Sequence, residues 1–334
     1  PAGDDEGLHP PRPRARHLAL STQTSTPREG DPGGSPSRRD GVPPRRTPER
    51  APTLPAMERF ERDGVRLAYR TWGARELPPV LLVHAFTMDS RMWHPVASRI
   101  AEEYFVVAPD LRGHGASEAP EDPDSYSIDA YAEDVRALAR HLGIDRYALV
   151  GCSFGGMVAL QLAVDTPEPI AALVLSDTSP APEHERYTEE FRQREARIRQ
   201  MEEVARKFGT MELGRRLARE LSDPFAAAAV RTRFARLNTE GFVGAARARR
   251  TRPNLLPLLR ERLTMPVLLV AGAEDPVSCA LDLMYTEIPQ AASALFKGVG
   301  HGVPALAPDR FARLLLEFLR SVEEGRPRSG RRTL

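Results

Sequence analysis

Short apolar runs alternate along most of this chain with longer stretches that carry an apolar residue every third or fourth position. Residues 66–71 alternate apolar and polar, as a half-buried strand does. Val80-Leu81-Leu82-Val83, residues 104–108, Ala148-Leu149-Val150, residues 172–175, residues 266–270 and residues 293–296 are nearly all apolar. Runs of that length and composition fit strands covered on both faces. Between them, residues 127–142 place Ile128, Tyr131, Val135, Leu138 and Leu142 at helical spacing, and Gly143 is placed to end the helix. Residues 157–164 and 311–319 predict two more helices, the second with Phe311, Leu314, Leu315 and Phe318 on one face. Residues 293–296 read as the last strand. The alternation predicts a doubly wound, mostly parallel α/β sheet flanked by helices.

Two regions break the rhythm. Residues 179–263 show no strand pattern. Residues 189–208 are highly charged but keep Phe191, Ile198, Met201 and Ala205 at helical intervals, and Gly209, Asp223-Pro224, Gly241 and Pro253 punctuate further helical pieces. This segment is expected to be a helical cap inserted between two core strands. The core is then 57–178 with 264–322. Residues 1–56 are crowded with Pro, Arg, Ser and Gly and have almost no apolar periodicity. Such a segment buries too little surface to offset the entropy of ordering it, and is expected to be disordered. Met57-Glu58-Arg59-Phe60 reads as a natural start. Residues 323–334 are expected to be a flexible tail.

Composition narrows the function classes. The 334 residues are 41% hydrophobic, enough for a sizeable core. A formal net charge of only +1 argues against nucleic acid or an anionic membrane as partner. Two cysteines, Cys152 and Cys279, make no disulfide framework, and no apolar run approaches a membrane span. These features predict a cytoplasmic protein acting on a small molecule. They leave self-association into a homo-oligomer open. No metal-ligand spacing and no Walker-type phosphate loop appear, so neither metal nor cofactor is expected.

The strongest chemical signal is Gly151-Cys152-Ser153-Phe154-Gly155-Gly156, a G-x-S-x-G pattern between a buried strand and an apolar helix. A serine hydroxyl needs to be presented and deprotonated to act as a nucleophile. A sharp strand-to-helix turn presents it, and that crowded turn demands small residues two positions either side. Ser153 is therefore the expected nucleophile. His301, in Gly300-His301-Gly302 after the last strand, is the expected base; His84 and His114 precede the serine and compete less well. Two acids follow strands, Asp177 and Asp275. The order Ser, Asp, His favours Asp275. Backbone amides of Phe154 and of Phe86, in the loop after Val83, are expected to form the oxyanion hole. Trp93, with Phe86 and Phe154, is the expected pocket wall.

Taken together, His84-Ala85-Phe86, Asp110-Leu111-Arg112-Gly113-His114-Gly115-Ala116-Ser117, residues 151–156, residues 272–275 and Gly300-His301 resemble the α/β-hydrolase-fold enzymes in motif and order. The resemblance spans about residues 60–319. Met88-Asp89-Ser90-Arg91-Met92-Trp93 and Val174-Leu175-Ser176-Asp177-Thr178 look most like the 3-oxoadipate enol-lactonase branch. Ala85 stands where the family usually has Gly, and Ala307-Pro308-Asp309 where it usually has Glu-x-Pro. The resemblance implies a cofactor-free serine hydrolase of a small ester or lactone, working through an acyl-enzyme. C–C bond hydrolysis or perhydrolysis on the same triad is one rival; a non-catalytic ligand receptor on the same fold is another. Epoxide hydrolases and haloalkane dehalogenases carry Asp at the nucleophile position, where this chain has Ser153.

Overall fold

The computed structural model describes residues 53–327 and 329–334. The extension read as disordered lies, up to residue 52, outside the described residues. Nine strands form one sheet in the order β1-β2-β4-β3-β5-β6-β7-β8-β9. They are β1 (Glu58–Arg62), β2 (Val65–Trp72), β3 (Pro79–Val83), β4 (Phe105–Asp110), β5 (Tyr147–Cys152), β6 (Ile170–Ser176), β7 (Val267–Gly272), β8 (Ala292–Phe296) and β9 (Gly330–Thr333). β1 and β2 run antiparallel to their neighbours, and the other pairings are parallel.

The unbroken apolar strands resolve into two faces. Leu81, Val83, Leu149, Leu173, Leu175, Val267 and Leu269 point into one core layer, while Val80, Leu82, Ala148, Val150, Ala172, Val174, Leu268 and Val270 point into the other. Successive strand side chains alternate faces, so a strand between two helical layers has no polar side. Helices α1 (His94–Ile100), α2 (Ile128–His141) and α3 (Phe154–Asp165) follow β3, β4 and β5. α2 and α3 cover the first face. Ser127 caps α2, its hydroxyl accepting from Ala130 N–H at 3.1 Å.

Between β6 and β7 the chain leaves the sheet and builds α4 (Glu189–Arg219), α5 (Pro224–Ala235), α6 (Thr239–Thr251) and the short α7 (Leu259–Arg262). α4 bends at Gly209, whose φ of 81° takes it out of helical geometry. Ala205, Leu213, Val230, Phe234 and Phe242 give this insertion a small core of its own, against which Phe86 of the sheet domain packs. α8 (Ser278–Glu287), α9 (Val303–Leu306) and α10 (Pro308–Glu323) complete the chain, α10 covering the second face with α1. Among the described residues no helix is long and apolar enough to cross a membrane.

Within the segment expected to be a flexible tail, Gly330–Thr333 form a strand of the sheet. After α10 the chain returns to pair β9 in parallel with β8, from Ala292↔Gly330 to Leu295↔Thr333. Backbone bonds extend the pairing, Lys297 N–H to Leu334 O at 2.9 Å and Leu334 N–H to Leu295 O at 2.9 Å. The strand is polar because it is an edge, and edges carry charge rather than apolar alternation. Arg331 pairs with Asp282 at 2.7 Å and lies over the Tyr285 ring.

One buried ion network ties this framework together. Asp134 of α2 accepts from Arg112 Nε at 2.6 Å and Nη2 at 2.7 Å, and from Arg62 Nη1 at 2.7 Å. Arg112 and Asp134 are both buried. Removing the carboxylate leaves a buried guanidinium without its counter-charge. Asp134→Ala is therefore expected to cost about 3 kcal/mol, a drop of roughly 6–12 °C in Tm. An unchanged melting curve would show that solvent compensates the arginines.

Candidate active site

The parallel strands end together on one edge, in register Cys152↔Ser176, Ser176↔Val270 and Gly272↔Phe296. The loops that follow them therefore meet, as strand C-termini do in open α/β sheets.

Ser153 sits between β5 and α3 with φ 54° and ψ −112°, a conformation a non-glycine residue holds only under constraint. Three hydrogen bonds supply it. Ser153 N–H donates to Ser176 O at 2.8 Å. Its carbonyl accepts from Met157 N–H at 3.1 Å and from the Thr178 hydroxyl at 2.8 Å. The turn is too tight for larger neighbours: a Cβ on Gly155 would run into the Val83 and His84 carbonyls, and one on Gly151 into the Gly155 carbonyl. The same closeness brings the loop after β3 against the first turn of α3.

Ser153 Oγ lies 2.8 Å from His301 Nε2, and His301 Nδ1 lies 2.7 Å from Asp275 Oδ2. The other oxygen of Asp275 accepts from Val277 N–H at 3.0 Å. Burial pushes the Asp275 carboxyl upward, but the facing imidazole and these hydrogen bonds outweigh it and hold the group below its usual range. Asp177, the competing acid, does not bond the imidazole. It accepts from Gly272 N–H at 3.1 Å, Val303 N–H at 2.9 Å and the Ser176 hydroxyl at 2.6 Å. It thus ties the end of β7 to the segment just after His301. Burial raises its carboxyl to about 6, with the His301 charge acting against that. Asp177, Asp275 and His301 bring potential metal-ligating atoms within 4.8 Å of one another. Their donor atoms are already engaged in the bonds just described.

His84 and His114 are buried elsewhere. His84 Nε2 accepts from Leu111 N–H at 2.9 Å while its Nδ1 faces Ala85 O at 2.9 Å, which fixes the loop after β3. His114 Nδ1 faces Arg112 O at 3.0 Å, and burial lowers its pKa to about 3. Both rings are engaged with backbone groups. In the loop itself, Met88 N–H closes a turn on Ala85 O at 3.1 Å, with Thr87 at φ 63°. A turn of this kind makes no use of the Phe86 N–H. Phe154 opens α3, so its N–H has no partner within the helix.

The expected pocket wall needs correction. Trp93 is fully buried in the core layer of α1 and α10, its ring 6.2 Å from that of Phe311. The helical turn Ser90–Trp93 carries it into that layer. The Phe154 ring is likewise buried, edge-on to Tyr131 at 5.0 Å. Phe86 is partly exposed and stands between Phe154 and Phe242 of the cap, at 6.2 and 4.9 Å.

Sequence reading missed Arg194. Its Nη2 lies 2.8 Å from His301 Nε2, and its Nη1 donates to Glu195 Oε1 at 3.0 Å. The signal was its register. Arg194 stands three residues after Phe191 and four before Ile198, on the stripe of α4 that faces inward, where an unpaired surface charge does not belong.

The sequence profile of the alpha/beta hydrolase fold family matches residues 78–305. 3-Oxoadipate enol-lactonase 2 of Acinetobacter baylyi is 29% identical over 225 residues, 65% of this chain and 79% of that protein. This agrees with the branch its motifs resemble. A thermophilic esterase from Thermogutta terrifontis superposes with a TM-score of 0.68 at 28% identity, covering 79% of this chain and 99% of that one. The first curated relatives are matched over only about a third of their length. Fluoroacetate dehalogenase of Burkholderia sp. is one of them, 42% identical over 106 residues, 31% of this chain and 35% of that protein. Since the profile takes in well over half of its residues, this chain belongs to the alpha/beta hydrolase fold family.

Proposed function

We propose that the protein hydrolyses a small carboxylic ester or lactone, with Ser153 as nucleophile, His301 as general base and Asp275 as its orienting acid. The observation that carries this reading is the continuous chain Ser153 Oγ–His301 Nε2, His301 Nδ1–Asp275 Oδ2, at 2.8 and 2.7 Å. A carboxylate on Nδ1 keeps the proton there and leaves Nε2 unprotonated, able to take the serine's. Attack of Oγ on the substrate carbonyl passes that proton to Nε2. The amides of Phe154 and Phe86 receive the negative charge on the carbonyl oxygen, and fixed dipoles do so without reorganising. The imidazolium then protonates the departing alkoxide, and Asp275 stabilises the cation meanwhile. Water, deprotonated by His301, attacks the acyl-enzyme through a second oxyanion and restores Ser153. No step calls for a cofactor.

Turnover of p-nitrophenyl esters of graded chain length, of lactones and of dioxo acids from aromatic ring cleavage tests the reading. Hydrolysis of esters or lactones is the expected result. Cleavage of the dioxo acids alone would move the reaction to C–C hydrolysis on the same residues. Turnover of none of the three classes by folded protein would favour a ligand receptor.

A further inference from the structure

Arg194 occupies the one atom that a general base has to keep free. Asp275 faces His301 Nδ1, so Nδ1 carries the proton and Nε2 offers a single in-plane lone pair. Two donors converge on it: the Ser153 hydroxyl at 2.8 Å and the Arg194 guanidinium at 2.8 Å. A guanidinium has donors only and keeps its proton, so it competes with Ser153 for the lone pair. Its positive charge also opposes the imidazolium that catalysis has to form.

The surroundings give Arg194 no carboxylate to itself. Glu195 Oε1 is shared between Arg194 Nη1 and Arg249 Nη2. Arg252 donates to the Ser179 hydroxyl at 2.9 Å and to Ala181 O, and its buried Nε has no partner. Arg249 and Arg252 are both buried. Two guanidiniums therefore share one cap carboxylate, and a third beside them has no carboxylate partner. Asp275 is held by His301 Nδ1 and Val277 N–H. Burial, reinforced by the Arg249 charge, lowers the Arg252 pKa to about 9, a sign of how poorly this charge is compensated. Positive charge crowded out of water without matching acids is arranged to receive an anion.

We infer that Arg194 receives a carboxylate carried by the substrate, and that this carboxylate draws the guanidinium off His301 Nε2, so that an acidic substrate frees the base for Ser153 more fully than a neutral one does. The inference rests on the hydrolase reading above and assigns its substrate class. Arg194 is then both a specificity residue and a latch on the base.

The test uses monomethyl esters of straight-chain dicarboxylic acids of four to eight carbons. Each is compared with the methyl ester of the monocarboxylic acid of the same length, for the full chain and for Arg194→Met. In the unaltered protein, kcat/KM is expected to favour the best acidic ester by roughly 10- to 100-fold, the worth of a charge-assisted hydrogen bond. Arg194→Met is expected to abolish that preference, mainly through KM for the acidic ester, while kcat for the neutral ester rises because Nε2 is no longer contested. Arg194→Lys should keep part of the preference. Thermal melting of each variant shows whether it is folded. Equal use of acidic and neutral esters by the unaltered protein would overturn the carboxylate assignment and leave the hydrolase reading standing. So would a parallel loss of both in a folded Arg194→Met. Failure of the folded protein to turn over any ester or lactone would remove both.

Discussion

Ser153→Ala is expected to lower kcat for ester hydrolysis by roughly six orders of magnitude, the scale of losing the nucleophile from a serine triad. The fold should be untouched. Alanine keeps the Cβ, so the turn at φ 54° acquires no new clash. The three bonds that hold the turn use the backbone of residue 153 and not its hydroxyl. The hydroxyl contacts His301 Nε2, and that atom retains Arg194 as a donor when it is gone. A melting temperature within a degree or two of the parent, beside an undetectable rate, is the predicted pair of results. Retention of about a tenth of the activity would be irreconcilable with losses of that size and would move the chemistry away from Ser153.

Asp275→Asn should cost about four orders of magnitude in kcat, by comparison with the acid of the serine-protease triad. An amide at this position favours the wrong imidazole tautomer, with the proton on Nε2, and cannot stabilise the imidazolium. Asp177→Asn is expected to act differently. Its carboxylate accepts three hydrogen bonds, from Gly272 N–H, Val303 N–H and the Ser176 hydroxyl. An amide has one oxygen to offer, so at least one of these donors is left facing an NH₂ group. The expected cost is about 1–3 kcal/mol of stability, with a far smaller loss of turnover that follows the loosening of the His301 segment. Measuring kcat and Tm for both variants separates the roles. A near-normal Asp275→Asn beside a folded, inactive Asp177→Asn would exchange the two acids.

Much of the site was legible because its chemistry constrains its neighbours. The turn at Ser153 admits no side chain at Gly151 or Gly155, so the glycines announce the serine. His301 was separated from His84 and His114 by chain order, and the structure supplies the physical reason for the other two: their rings are spent on backbone groups at Leu111, Ala85 and Arg112. Asp177 and Asp275 were harder to part, because both follow strands at the same sheet edge, and only their partners distinguish them. Trp93 was misplaced because the sequence puts it in the right loop but is silent about the turn Ser90–Trp93 that rolls it into the core. Arg194 was hidden by abundance, one arginine on a helix crowded with them. The strands β3 to β8 stood out as apolar runs and β2 by its alternation, whereas β1 and β9, at the two edges, are mostly polar and show no such run. The cap could be recognised by the absence of strands. Its seating could not, since that depends on the fit of Phe86 against Phe242 and on the Gly113–Gly241 approach.

The central claim is that Ser153 is a nucleophile made reactive by His301. Treatment with a fluorophosphonate, followed by mass mapping of the peptide that contains residues 151–156, tests it most directly. The account predicts one phosphonyl group per chain, attached at Ser153, and its loss in both Ser153→Ala and His301→Ala. A folded protein that stays unmodified, or one labelled equally well without His301, would contradict it.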